Sequence, residues 1–193
     1  DIEELETEVD KYEDVLGTYL VKLSNKDMSD EDSRKISRIL HTIGDFERIS
    51  DHAVNIKKAA QEMNSKSIEF SSEAKIELNV LEEAVRKIVD VSVEAFSKND
   101  TELSKRVEPL EQVVNDLTRI IKNRHVERLK VGECTIELGF VLSDLINNYE
   151  RIADHCSNVA LAIIEVNRGS FDTHGYITDI KAGGDAEFKQ MYD

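Results

Sequence analysis

The sequence has no tryptophan, one proline, two cysteines and eight glycines in 193 residues. A single Pro bars almost no position from a helix interior, and the scarcity of Gly leaves few obligatory turns. Cys134 and Cys156 stand outside any Cys-x-x-Cys spacing, which excludes a disulfide-rich secreted scaffold and a thiolate metal site. They are read as packing residues of a protein from a reducing compartment. No apolar run approaches the roughly 18 residues needed to cross a bilayer. Positive charge is in deficit, with 25 Lys and Arg against 40 Asp and Glu, a formal net charge of −15 and a pI near 4.8. Such a chain repels a phosphate backbone and attracts cations, so a nucleic-acid partner is excluded. The opening Asp1-Ile2-Glu3-Glu4 is neither a signal peptide nor an initiator, and predicts a piece of a longer polypeptide.

What is abundant is apolar residues spaced three and four apart between charges, the mark of an all-α chain. Five long helices are expected. The first runs over about 2–24 on a stripe of Leu5, Val9, Tyr12, Leu16, Tyr19, Leu20 and Leu23. The second, capped by Ser29 or Asp30, runs to about Asn64 through Ile36, Ile43, Phe46, Ile49 and Ile56. A linker over 65–71 leads to a third helix that starts at Ser71 or Ser72 and breaks at Lys98-Asn99-Asp100. The fourth extends to about Leu129, with Pro109 either kinking it or marking a new first turn. Gly132 precedes a fifth over about 133–167, and 169–193 forms an irregular tail.

The chain repeats itself. Glu47-Arg48-Ile49-Ser50-Asp51-His52-Ala53-Val54-Asn55 recurs 103 residues later as Glu150-Arg151-Ile152-Ala153-Asp154-His155-Cys156-Ser157-Asn158, identical at six of nine positions. Leu5 to Asp10 has a weaker echo at Leu110 to Asn115, offset by 105. The first and second helices therefore correspond to the fourth and fifth. This divides the chain into a partial first repeat of two helices over 1–64 and a second repeat of three over 72–168. Two helices bury less of their faces than three, so the first repeat should leave an apolar groove that favours self-association into a homo-oligomer.

Residues four apart stack on one side of a helix, so Glu47 with Asp51, and Glu150 with Asp154, each present two carboxylates at the edge of an apolar stripe. Glu6 with Asp10, and Glu111 with Asn115, lie on comparable edges of the preceding helices. Packed together, these groups would repel unless a cation or a guanidinium satisfied them. A hard, oxygen-loving metal ion is one remedy, and a salt-bridge network through Arg48 and Arg151 is the other. His52 and His155 lie about 100° round the helix from the preceding Asp. An interhelical hydrogen bond suits them better than a place as outer ligands. Asn55 and Asn158 lie one turn past the Asp, suited to bonding a neighbouring helix or orienting a ligand, while His41 and His125 occur in one repeat only and are read as ordinary.

The paired Glu-Arg-Ile-x-Asp-His-x-x-Asn segments, with Glu-x-x-x-Asp on the preceding helix, resemble the PhoU family of phosphate-uptake regulators. The match covers nearly all of 1–168. The resemblance implies tandem antiparallel, spectrin-like helical bundles, the first lacking its first helix. It also implies multinuclear Fe or Zn, or another divalent cation, bound at Glu6, Asp10, Glu47 and Asp51 and at Glu111, Glu150 and Asp154. Arg48, His52, Asn55, Asn115, Arg151, His155 and Asn158 would stand behind them. Asn115 departs from the pattern, bringing no charge where the first repeat has Asp10, so the second site should be weaker or lost. The tail Phe171-Asp172-Thr173-His174-Gly175-Tyr176 is similar to the ending of the PhoU-like domain fused behind the membrane segments of bacterial sodium/phosphate cotransporters. That likeness implies a regulatory domain at the cytoplasmic face, whose partner is the membrane portion of its own polypeptide.

The alternatives are a free-standing PhoU-type regulator and a ligand-free helical interaction module. Enzyme readings fare worse. A ferritin-like metal site needs Glu-x-x-His on two helices, whereas Ser50 and Ala153 stand three after Glu47 and Glu150. A metal-dependent phosphohydrolase would need a further ligand set that the sequence does not display.

Overall fold

Each helix begins where the chain supplies an acceptor for its first free N–H groups. The computed structural model describes residues 1–168, and all regular structure among them is helical: α1 (Ile2–Ser24), α2 (Asp30–Lys66), α3 (Ser72–Lys98), α4 (Thr101–Lys105), α5 (Val107–Lys130) and α6 (Ile136–Arg168). The backbone N–H of Asp32 donates to Ser29 Oγ at 3.1 Å, and that of Ala74 to Ser71 Oγ at 3.3 Å. Asp100 Oδ1 accepts from the N–H groups of Glu102 and Leu103 at 2.9 and 3.1 Å. At their far ends α2 and α3 pass into left-handed Ser67 (φ 53°) and Asn99 (φ 52°), which close the last turn. No helix among the described residues is long and apolar enough to cross a membrane.

The expected fourth helix is in fact two, because the chain breaks at Arg106 between α4 and α5. Pro109 is the third residue of α5, where its missing N–H falls among the first four donors that have no intrahelical partner. It thus opens a helix and costs no ladder bond. α6 starts later than expected because Gly132, at φ 76°, and the residues after it form a turn. The expected irregular tail over 169–193 lies outside the described residues.

Helices α3, α5 and α6 pack on one another, with α4 closing one end. Their core is made of Leu81, Val85 and Ile88 from α3, Val114 and Ile121 from α5, and Leu142, Ile146 and Ile152 from α6. At roughly 1.5–3 kcal/mol for each fully buried large aliphatic, this cluster is the main stabilising element. A buried ion pair ties α3 to α5: Arg128 donates to Glu77 through two bonds of 3.0 and 2.9 Å, both side chains being only about a tenth exposed. The first half is thinner. α1 packs on α2, and α2 lies along α6. Lys57 of α2 holds the start of α1 by pairing with Asp1 at 2.5 Å and with Glu3. Only Leu20 of α1 is fully buried, while Leu5, Tyr12 and Tyr19 stay exposed.

Candidate functional site

The two copies of the repeated segment face each other where α2 lies along α6. A helix turns about 100° per residue, so the His after each Asp points toward the neighbouring helix when the Asp points away from it. His52 Nδ1 donates to Asn148 Oδ1 at 2.8 Å, and His155 Nδ1 to Asp45 Oδ1 at 2.8 Å. Asn158 Nδ2 donates to the same Asp45 oxygen at 3.0 Å. The amide of Asn148 is oriented by its own bond to the Asp144 carbonyl at 2.7 Å. Between the two bonds the imidazoles stack, with centroids 5.6 Å apart and planes 28° apart. Asn148 stands 103 residues after Asp45, the offset of the repeat, so each histidine bonds the equivalent residue of the other half. The seam therefore has an approximate two-fold arrangement, broken by Asp45 facing one histidine and Asn148 the other.

The carboxylates point elsewhere and are met by cations close at hand. Arg48 lies 3.3 Å from Glu47 and 3.3 Å from Asp51. Arg151 reaches Asp154 at 3.0 Å, and Lys122 of α5 reaches Glu150 at 3.2 Å. Asp51 and Asp154 keep about a third of their side chains exposed. Burial, seconded by Asp51 and then by Asp10 and Glu13 across from α1, pushes the Glu47 carboxyl above the usual range, with Arg48 acting against the shift. The acidic groups of α1 and α2 therefore sense one another, as the helical wheel anticipates. Glu6 accepts a long hydrogen bond from Thr7 at 3.4 Å. In the second half Glu111 is buried, and its Oε1 accepts from Asn115 Nδ2 at 2.6 Å.

This geometry bears on the metal expected from the resemblance. Among the described residues no three His, Cys, Asp or Glu side chains gather as a bound ion requires. In the second half Glu111 Oε1 is met by an amide, Glu150 by Lys122 and Asp154 by Arg151, as Glu47 and Asp51 are met by Arg48 in the first. In the first half Asp10, Glu47 and Asp51 offer oxygen-only donors in mutual repulsion, a chemistry that fits a hard divalent cation.

Three further placements refine the sequence reading. Asn55 is exposed, whereas its counterpart Asn158 bonds across the seam. His125 is not ordinary surface, being buried with Nδ1 3.5 Å from Cys134 Sγ and a Cβ at Gly139 set to meet its Nε2 at 2.6 Å. Burial pushes its pKa down, aided by Arg128. Asp45 and Asn148 were not singled out, although both lie two residues before the repeated Glu in matching register.

A duplicated all-helical unit, joined through reciprocal His contacts between its long helices, is the class that this fold and seam define. The chain matches the PhoU domain over residues 1–60 and again over 78–163, and it belongs to that family. A Thermotoga maritima protein named phosphate-specific transport system accessory protein PhoU homolog 1 is 29% identical over 136 residues, 70% of this chain and 58% of the relative. A phosphate-specific transport system accessory protein PhoU homolog from Aquifex aeolicus is 28% identical over 148 residues, 77% of this chain and 66% of its own length. That from Pseudomonas aeruginosa is 23% identical over 181 residues, 93% of this chain and 74% of its own length. The chain thus spans less than two thirds of the first two relatives. A crystal structure of PhoU from Pseudomonas aeruginosa shares the fold, with a TM-score of 0.79 at 22% identity over 88% of this chain and 80% of that one. The names of these relatives are those of accessory proteins, and the expected fusion to a sodium/phosphate cotransporter finds no support in them.

Proposed function

We propose that the chain is a PhoU-type regulator of phosphate uptake that acts by contact with a phosphate transport system at the cytoplasmic face of the membrane, without catalysing a reaction. The observation that carries this reading is the double match to the PhoU domain together with three relatives named as accessory proteins of phosphate-specific transport systems. The same names favour an accessory protein over a domain of the transporter polypeptide. The sequence encoded immediately before Asp1 separates the two, because several membrane-spanning stretches there would restore the cotransporter reading. The regulatory reading itself is tested by phosphate uptake in cells with the gene deleted and then restored. Uptake that no longer responds to external phosphate in the deletion, and responds again on restoration, is the expected result. Uptake indifferent to the deletion at both high and low phosphate would overturn it.

Two further parts of the proposal have their own tests. A divalent cation would be held by Asp10, Glu47 and Asp51, where it would supply the positive charge that Arg48 supplies only in part. Elemental analysis and equilibrium dialysis with Zn or Fe should then find loading that Glu47→Ala with Asp51→Ala removes. The uncovered face of α1 favours self-association, and sedimentation across a range of concentrations should show a dimer or larger species.

A further inference from the structure

In a chain with fifteen surplus negative charges, three cations of α2 converge on one cavity. Arg34, Lys35 and Arg38 line one side of it, and Asn99 and Asn167 line the side formed by the α3–α4 junction and the end of α6. Its volume is about 110 Å³. Lys35 is engaged by Glu31 at 2.7 Å, which also accounts for the one carboxylate on the lining. Arg34 and Arg38 differ. They stand one turn apart on the same face, where like charges repel. Among the described residues neither meets a carboxylate. The Arg38 guanidinium lies 5.5 Å from the centroid of the Phe96 ring, and its Nε is buried with no hydrogen-bond partner. Burial is the sole cause acting on its pKa, which it pushes below the usual arginine value.

A guanidinium laid over an aromatic face keeps its in-plane N–H groups available, and their fork matches two oxygens of an oxyanion. Opposite, the amides of Asn99 and Asn167 fix each other through bonds of 3.3 and 3.2 Å, and Thr101 takes a further bond from Asn167 at 3.1 Å. Both protons of Asn167 Nδ2 are spent on Asn99 and Thr101, which fixes the Asn99 amide at the cavity wall with one N–H of its Nδ2 still to donate. The arginines are no by-product of the duplication, since Glu137 and Val141 stand at the corresponding positions of the second half.

We propose that this cavity is a binding site for one small tetrahedral oxyanion of the phosphate or sulfate class, held by Arg38 and Arg34 and met by the remaining N–H of the Asn99 amide. The volume is too small for a nucleotide, and the net charge of the chain opposes a polyanionic surface, which leaves a free ion as the occupant. The site stands apart from the acidic turns and the His seam, and it does not depend on the regulatory reading.

The test is calorimetric titration of the purified chain with inorganic phosphate at low ionic strength, with sulfate as competitor and chloride as control. Saturable one-to-one binding is expected, displaced by sulfate and weakened by about tenfold or more in Arg38→Met and in Arg34→Glu. Phosphate should also raise the melting temperature of the parent and not of the variants. Arg34 is exposed, so Arg34→Glu folds and decides the matter even where Arg38→Met does not. Absence of saturable binding by the parent up to tens of millimolar, or undiminished binding by Arg34→Glu, would overturn the proposal. Either result would leave the uptake experiment untouched, because that experiment requires no anion site.

Discussion

The two thiols of the chain differ in what surrounds them. Cys156 is fully buried in the core of α6, and burial pushes its thiol up to about 12, against a small opposing effect of Ser92. Cys134 is half-buried beside His125. Only a thiolate reacts with an alkylating reagent. The native protein should therefore label at Cys134, and at Cys156 only after denaturation, as peptide mass mapping with and without denaturant can check. Glu47 is likewise shifted by its surroundings. Its carboxyl sits above the usual glutamate range, chiefly through burial and then through Asp51, so the folded state binds its proton more tightly than the unfolded state. That contribution to stability is present below the unfolded value and is lost as pH rises through the folded one. Glu47→Gln should raise the melting temperature at pH 7 and flatten the decline between the normal and the raised value, and equal slopes in parent and variant would refute the assignment. The sequence displayed the stacking of Glu47 and Asp51 because helical spacing alone sets it. It could not choose between a metal and a guanidinium, since both answer the same charge; the position of Arg48, 3.3 Å from each carboxylate, is a matter of rotamers.

Among the elements, α3 and α5 are joined by a contact that no local pattern announces. Glu77 and Arg128 are 51 residues apart, and their pairing depends on how two helices are set against each other. Removing one partner of a buried pair costs up to about 3–5 kcal/mol, and here Glu77 would keep only the exposed Arg124 at 3.3 Å. Arg128→Ala should thus lower stability by that order in urea denaturation. Arg124→Ala, at the exposed flank of the same Glu77, should cost no more than about 1 kcal/mol. Arg128→Met combined with Glu77→Leu should recover much of the loss. The helices themselves were readable because their signals are local: Ser29 and Ser71 cap α2 and α3, and Asn99 ends α3. The break at Arg106 was signalled only by Pro109, which left a kink and a new first turn both open; the new first turn is what forms. It arises from the packing of α4 against α3 and α6.

For the whole molecule the decisive contact is the seam of α2 and α6, which holds the two halves together. The repeated segments were plain in the sequence, whereas their meeting was not, because a repeat says that two units are alike and nothing of how they are placed. The pairing of Asp45 with Asn148 across the register was the available signal. Each His contact carries one hydrogen bond worth about 0.5–1.5 kcal/mol net, rising to about 1.5–3 kcal/mol where a charged acceptor such as Asp45 takes part. His155→Ala should therefore destabilise more than His52→Ala. Because the rings touch, the double variant should depart from the sum of the singles, as a thermal-denaturation cycle would measure.

This reciprocity has a consequence for ancestry and for handling. A surface that receives a rotated copy of itself is the kind by which two identical molecules pair, so the joint within this single chain has the form of a homodimer contact made permanent by fusion. The short connection over 67–71 is held down by Phe70, buried in the core, and by Ile68 packed against it, so the joint keeps the halves together and not the connection alone. A protease cut there should leave two pieces that travel together through a sizing column.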